Sequence, residues 1–273
     1  MNDVEPLLIT SSQNAQIKFA RSLDRKKERT LHSAFRAEGA RHIKEGMDLG
    51  WQLLHLFISP DAENRPHVRE LVQIAQKQNT KIALVSSKLL ATITNRENAQ
   101  NVVGIFAQKW ANLSDFNDEN TIVALERPKD PGNLGTIMRT IDATNCNALI
   151  LLEESCDPYS TEAIRAAMGS SFGIRIARAN VETFLEWKQS NGFSLYGTHV
   201  KSTKLHSETD FATKSILLMG NEQSGIDDQL ASACDELVKL PMSGRADSLN
   251  LAIATGVCLY EIWRQNGYKG RKS

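Results

Sequence analysis

Thr121–Arg139 reads TIVALERPKDPGNLGTIMR, and its interpretation decides the fold. Thr121–Leu125 has the aliphatic and β-branched character of a buried strand, and Gly132–Thr144 carries a helical pattern. Between them lies a turn of Pro, Gly, Asn and charged residues. The same alternation continues downstream. Ala148–Leu152, Ile174–Ala177, Phe193–Thr198, Ser215–Met219 and Glu236–Leu240 read as strands. Ser160–Met168, Val181–Ser190, Gly225–Ala233 and a last stretch from Ser248 to Gln265 read as helices. Strands alternating with helices predict an α/β fold with a parallel sheet flanked by helices and right-handed crossovers. Ligands of such a sheet bind beyond the carboxyl ends of its strands.

Working toward the N-terminus, Asn112–Asn120 (NLSDFNDEN) is polar and turn-rich and is expected to be a linker. Before it, Ser11 or Ser12 is placed to cap a helix carrying Ile17, Phe19 and Leu23. Leu53–Ser59, Lys81–Val85 and Val102–Ala107 read as strands, and Val68–Gln78 and Lys88–Thr94 as helices. The expected organisation is thus a small N-terminal α/β domain over residues 1–111, a linker over 112–120 and a second domain over 121–273. A length of 273 residues suits two domains, and 41% hydrophobic with 23% charged residues excludes a disordered or collagen-like chain. No apolar run reaches the ~18–20 residues of a membrane-spanning helix. The N-terminus, MNDVEPLLITSSQNAQIK, lacks a basic start followed by an apolar core, so a cytoplasmic location is expected. Cys146, Cys156, Cys234 and Cys258 form no CxxC pair and the six histidines no HxxxH or HxH pair, so no metal site is expected.

A formal net charge of zero conceals an asymmetry. Residues 1–115 carry +4 and residues 116–273 carry −4. Within Lys18–Lys44, nine cations (Lys18, Arg21, Arg25, Lys26, Lys27, Arg29, Arg36, Arg41 and Lys44) face three carboxylates (Asp24, Glu28 and Glu38). Such a tract is an electrostatic footprint for a polyanion such as RNA, with a solvated helical face as the alternative.

Three strand-to-helix junctions of the second domain share an unusual composition: Glu126–Arg139, Gly220–Ile226 (GNEQSGI) and Leu240–Asn250 (LPMSGRADSLN). Glycine permits close approach of backbone, and Asn, Glu, Ser and Arg supply placed polar groups. Familiar alternatives fail. Gly132–Gly135 gives only GxxG, nothing matches GxGxxG or GxxxxGK[ST], and there is no GxSxG elbow.

At these junctions the sequence resembles a known family. Asn133–Arg139 (NLGTIMR), Gly220–Ile226 and Leu240–Ala254 (LPMSGRADSLNLAIA) are similar, in order, to the three motifs of the TrmH/SpoU branch of the SPOUT RNA methyltransferases. Residues 160–165 (STEAIR) with 169–171 (GSS) resemble a substrate-side stretch of those enzymes. The N-terminal half, from Ser12-Gln13-Asn14 to Gly39, resembles the family's accessory RNA-binding domain, itself similar to kink-turn-binding ribosomal proteins. One departure is visible: many relatives carry Pro-Gln-Gly before the last N-terminal strand, where this chain has Gln100-Asn-Val-Val-Gly104.

The resemblance implies a ribose 2′-O-methyltransferase using S-adenosylmethionine (AdoMet), with a C-terminal trefoil knot and a homodimer. It implies catalytic roles for Arg139, Asn133, Glu222, Ser248 and Asn250. Arg139 would position the RNA phosphate and stabilise the developing alkoxide, since a guanidinium stays protonated. Glu222 would pair with Arg139 or Arg245 or polarise the hydroxyl, and Asp247 or Ser248 would cap the last helix. The cofactor would lie on Thr198, Met219, Gly220, Leu240, Met242 and Leu249, with Gly220 bare so that it can approach. Arg25, Lys26, Lys27, Arg41 and Arg165 would contact RNA. The last helix is apolar on two stripes, Leu249-Ala252-Gly256-Leu259-Trp263 and Leu251-Ala254-Cys258-Ile262, so it must be covered twice, by its own sheet and by a partner subunit or a second layer. Ribosomal RNA, 23S in particular, is the expected substrate. Transfer RNA, or RNA binding without catalysis, is the alternative.

Overall fold

The computed structural model describes residues 7–96 and 100–271, which pack as two compact units. Met1–Pro6, where the leader reading begins, lie outside the described residues. Among the described residues no helix is long and apolar enough to cross a membrane.

The first unit runs to Gln108. In chain order it contains β1 (Leu7–Ile9), α1 (Ala15–Ser22), α2 (Lys26–His32), β2 (Ala34–Glu38), α3 (Ala40–Asp48), β3 (Leu53–Ile58), α4 (Pro60–Glu63), α5 (Pro66–Lys77), β4 (Lys81–Val85), α6 (Ser87–Thr94) and β5 (Val102–Ala107). Its sheet order is β1-β4-β3-β5-β2, parallel from β1 to β3 and antiparallel around β5. Side chains alternate across it: Phe57 joins a core with Ile17, Leu23 and Leu90, whereas Leu56 and Ile58 join one with Phe35, Leu71 and Phe106. The elements β1, α2, β2 and α3 do not stand out in the sequence. Arg36 in the middle of β2 breaks an apolar strand pattern, yet it is buried there. The cap of α1 is Asn14, whose side chain accepts from the Gln16 N–H at 2.8 Å, and not Ser11 or Ser12.

The second part of the chain continues with β6 (Thr121–Glu126), α7 (Pro131–Ala143), β7 (Ala148–Leu152), α8 (Thr161–Ala167), β8 (Arg175–Ala179), α9 (Val181–Ser190), β9 (Ser194–Thr198), β10 (Ser215–Met219), α10 (Asp228–Ala233), β11 (Glu236–Val238) and α11 (Leu251–Gln265). The six strands form one sheet in the order β11-β9-β10-β6-β7-β8, with every pairing parallel, as the alternation predicts. Its direction of winding reverses between β10 and β6, the place where such sheets bind ligands.

Two expected boundaries differ from the packing. Residues 112–120 are a 3-10 turn (Leu113–Phe116) rather than a free linker, because Phe116 is fully buried in the core of the second unit. Tyr159–Phe172, which includes α8, packs into the first unit although it lies inside 121–273. Aromatic surface explains this: the Tyr159 ring lies 4.8 Å from that of Phe35, and Phe172 lies 4.8 Å from Phe106 and 5.4 Å from Trp51. The Trp51 indole donates to the Phe172 carbonyl at 2.9 Å.

The last helix begins at Leu251, three residues later than expected, and buries Leu251, Ala252, Thr255, Cys258, Leu259 and Ile262. Its uncovered apolar residues are Ile253, Val257 and Tyr260, in line with Leu249, which matches neither stripe read from the sequence. Gly256 meets Thr140 of α7, where an added Cβ would sit at an ordinary 3.8 Å, so sterics do not require glycine there.

Candidate functional site

The site is built where the carboxyl ends of β6, β9, β10 and β11 give way to loops. After β6, Arg127 takes a left-handed backbone (φ 47°), Pro128 follows, and Asp130 caps α7 by accepting the Asn133 N–H at 2.6 Å. Pro131 opens the helix, where its missing N–H costs nothing. Asn133 is therefore free of the capping role and points its amide elsewhere.

After β10 the chain makes a tight hairpin. Asn221 and Gly225 exchange backbone hydrogen bonds of 3.0 and 2.9 Å, with Gly225 at φ 70°. A Cβ on Gly220 would lie 2.1 Å from the Gly225 carbonyl carbon and 2.2 Å from the Ile226 nitrogen. Glycine is thus required at 220 by the closure of the chain on itself, not by the approach of a ligand. Glu222, at the tip, makes no ion pair with Arg139 or Arg245. Its carboxylate accepts the Lys129 N–H at 3.2 Å and the Asp130 N–H at 3.3 Å, tying the hairpin to the turn before α7.

After β11 a loop whose residues 241–250 all have exposed surface returns to α11. Asn250, not Asp247 or Ser248, caps that helix, accepting from Ala252 at 2.9 Å and Ile253 at 3.4 Å. Its amide also donates to Asn133 Oδ1 at 2.9 Å. One side chain thus fixes the start of α11 and joins the first junction to the third.

These loops enclose a cavity of about 600 Å³, within the usual range for small-molecule sites. Asn133, Glu222, Ser248, Asn250, Thr198, Met219, Gly220, Leu240, Met242 and Leu249 all line it. Arg139 does not: it is exposed on α7, six residues or about 9 Å of helix beyond Asn133. His199 and Val200 also line the cavity and were not singled out from the sequence. Their signal was present, since they directly follow β9 and obey the same carboxyl-end rule. Burial pushes the Cys156 thiol, beside the carboxylates of Glu222 and Asp130, up to about 12, and those of Cys146, Cys234 and Cys258 equally. No thiolate nucleophile is therefore supplied at neutral pH. Among the described residues no group of three or more His, Cys, Asp or Glu side chains is arranged to hold a metal ion.

The basic segment divides in two. Arg29 is buried, donating to the carbonyls of Leu23 (2.7 Å) and Asp24 (2.8 Å). Arg36 is buried against Asp24 at 2.6 Å, and burial lowers its pKa despite that partner. Lys44 pairs with Asp48 at 2.8 Å. Lys18, Arg21, Arg25, Lys26, Lys27 and Arg41 remain exposed. Lys26 and Lys27 open α2, where the helix dipole disfavours cations, so helix stability does not account for them. Arg165 is held by Glu38 and the Thr94 carbonyl, each at 2.6 Å, and is only partly exposed.

Comparison with known proteins agrees with this geometry. Residues 120–260 match the SpoU rRNA Methylase family and residues 14–104 match the MRM3-like substrate binding domain. The chain is similar to an AdoMet-bound rRNA methyltransferase from Sinorhizobium meliloti, with 42% identity and a TM-score of 0.89 over 94% of this chain and 97% of that one. It is also similar to the SpoU methyltransferase AviRb from Streptomyces viridochromogenes in complex with AdoMet, with 28% identity and a TM-score of 0.84 over 95% and 100%. The 23S rRNA (guanosine(2553)-2'-O)-methyltransferase RlmP of Bacillus subtilis is 27% identical over 93% of this chain and 98% of its own length.

Proposed function

This chain belongs to the SpoU rRNA methylase family, and from that premise we propose that it transfers a methyl group from AdoMet to a ribose 2′-hydroxyl of 23S ribosomal RNA. The observation that carries the proposal is the carboxyl-edge cavity, in which all three junctions meet and the second and third are each hydrogen-bonded to the first.

The lining fits the cofactor. Leu240, Leu249 and Met242 offer apolar surface for an adenine, and the backbone around Gly220 and Thr198 offers polar groups for its ribose and amino-acid parts. When bound, AdoMet supplies an electrophilic methyl group on a sulfonium. The chain's own task is to hold the RNA ribose in line with that methyl and to stabilise charge on its oxygen. Asn133, fixed by Asn250, and Ser248 are placed to orient the ribose from the cavity wall. Glu222 keeps the first and second junctions together. Arg139, outside the cavity and exposed, is suited to an RNA phosphate rather than to the cofactor.

In this reading the N-terminal unit holds RNA through Arg25, Lys26, Lys27 and Arg41, with the partly exposed Arg165 as a further contact. A homodimer, covering Leu249, Ile253, Val257 and Tyr260, and a trefoil knot at the C-terminal end belong to the same reading, as does a cytoplasmic location. The test uses methyl-labelled AdoMet with unmodified 23S RNA and, separately, transfer RNA, followed by digestion to nucleosides. Label on ribose from the 23S RNA is expected. Label on transfer RNA alone overturns the substrate, and label on a base overturns the reaction.

A further inference from the structure

At the start of the first junction, Glu126 and Arg127 form an ion pair of which only the carboxylate is buried, the arginine side chain being 37% exposed. Glu126, the last residue of β6, has no solvent exposure, yet it is a carboxylate. Its Oε2 accepts the Asp227 N–H at 3.0 Å, and its Oε1 lies against the guanidinium of Arg127. Burial raises the Glu126 pKa, and the adjacent guanidinium opposes that shift. Arg127 occupies the left-handed region that favours glycine, and this conformation directs its backbone both ways. Its N–H donates to the Leu152 carbonyl at the end of β7 (3.1 Å), while its carbonyl accepts the Asn221 side-chain amide at 2.7 Å.

The two ends of the hairpin after β10 are thus held by two consecutive residues, the last of β6 and the one that follows it. Asn221 enters the hairpin on the Arg127 carbonyl, and Asp227 leaves it on the Glu126 carboxylate. Asn221 in turn accepts from Gln223 and Ser224 through its side-chain oxygen (2.9 and 3.2 Å), and Asp227 caps α10 by accepting the Leu230 N–H at 3.0 Å. A left-handed backbone at a residue other than glycine and a desolvated carboxylate both cost stability. Neither feature is explained by the sheet, which needs only the backbone of β6.

We propose that Glu126 and Arg127 are positioning residues that clamp the Asn221–Asp227 hairpin at both ends and thereby set the affinity of the cavity for AdoMet. This rests on the reading of the cavity as the AdoMet site. The clamp touches no reacting atom, so its loss falls on cofactor binding rather than on the chemical step.

The test combines Glu126→Gln, Arg127→Gly and Arg127→Lys with two independent readouts. The first is amide hydrogen exchange in the ligand-free protein. Exchange at Gly225 and Asp227 is expected to accelerate at least tenfold in Glu126→Gln relative to the amides of β7, and unchanged protection there overturns the clamp. This readout needs no cofactor, so it separates failure of the clamp from failure of the AdoMet reading, which shows itself as an absence of AdoMet binding by the unaltered protein. The second readout is calorimetric titration with AdoMet alongside steady-state kinetics. Glu126→Gln is expected to raise Kd and the AdoMet KM at least tenfold, with kcat at saturating AdoMet lowered less than threefold. Arg127→Gly keeps the carbonyl and relieves the backbone but removes the charge, so it is expected to weaken binding, whereas Arg127→Lys restores most of it. Should Glu126→Gln fail to fold, the contrast between Gly and Lys at 127 decides. A lowered Tm with AdoMet Kd unchanged in any folded variant marks a merely structural pair and overturns the proposal.

Discussion

The basic segment at the start of the chain and the cavity at the carboxyl edge of the second sheet use polar residues in opposite ways. In the segment, the cations most deeply engaged, Arg29 and Arg36, are consumed by the fold, and the exposed ones are nearly independent of each other. In the cavity, the polar side chains are bonded to one another's loops: Asn250 to Asn133, Glu222 to the turn before α7, Asn221 to Arg127. Independent surface charges act additively and through salt-sensitive long-range attraction, whereas members of one network act together. In the proposed function this difference separates a graded surface for holding a polyanion from a fixed frame for chemistry.

Substitutions that break this contrast rank by expected effect. The largest is Arg139→Ala. Removal of the guanidinium proposed to hold the RNA phosphate, and with it the reacting ribose, should cost about 10²–10³ in kcat, measured by labelled transfer. AdoMet Kd should stay near its original value, because Arg139 lies outside the cavity. Retained turnover would remove Arg139 from the mechanism.

Next in size is an effect of the first unit's interior rather than its surface. His55 is buried beside Phe19 and Phe57, and burial, aided by Lys81, lowers its pKa to about 4. The unfolded chain takes up the proton near the ordinary value of about 6.5, so the folded state loses stability as pH falls from there toward 4 and is unaffected above it. The loss amounts to about 3 kcal/mol at full extent. Denaturant unfolding at pH 7 and pH 4.5 should show it, and His55→Phe should reduce the difference. An identical pH dependence in that variant would assign the loss to other groups.

Asn250→Ala sharpens the comparison from the cavity side. Loss of the α11 cap should cost about 1 kcal/mol of stability, seen in Tm. Because the same amide holds Asn133, turnover should fall further than stability does. A change in Tm alone would make Asn250 a cap and nothing more.

Much of the second unit was legible because its signals are local. Six strands, their parallel pairing and the three junctions follow from aliphatic runs ending in Gly, Pro and Asn. Caps were not legible to the residue: Asp247, Ser248 and Asn250 all have the right chemistry, and only backbone conformation selects Asn250. Partners distant in sequence were hidden as well. Nothing around Glu222 announces the backbone of Lys129, and nothing around Tyr159 or Phe172 distinguishes one aromatic core from another. The sequence offers cofactor approach as the reason for a bare Gly220, and the structure supplies a different one, since its own hairpin fills the space. The charge count of the basic tract exceeds its exposed charge, because a sequence counts buried Arg36 and exposed Lys26 alike.

The most direct test of this separation measures AdoMet and 23S RNA affinities on two variants, one with Arg25, Lys26 and Lys27 all replaced by Gln and one with Leu249→Ala in the cavity wall. The triple variant should keep its AdoMet Kd, bind RNA more weakly and lower the salt slope of log K by about 2–3. Leu249→Ala should do the reverse, weakening AdoMet and leaving RNA affinity intact. Loss of AdoMet affinity in the triple variant, or an unchanged RNA salt slope, would contradict the division of labour between surface and cavity.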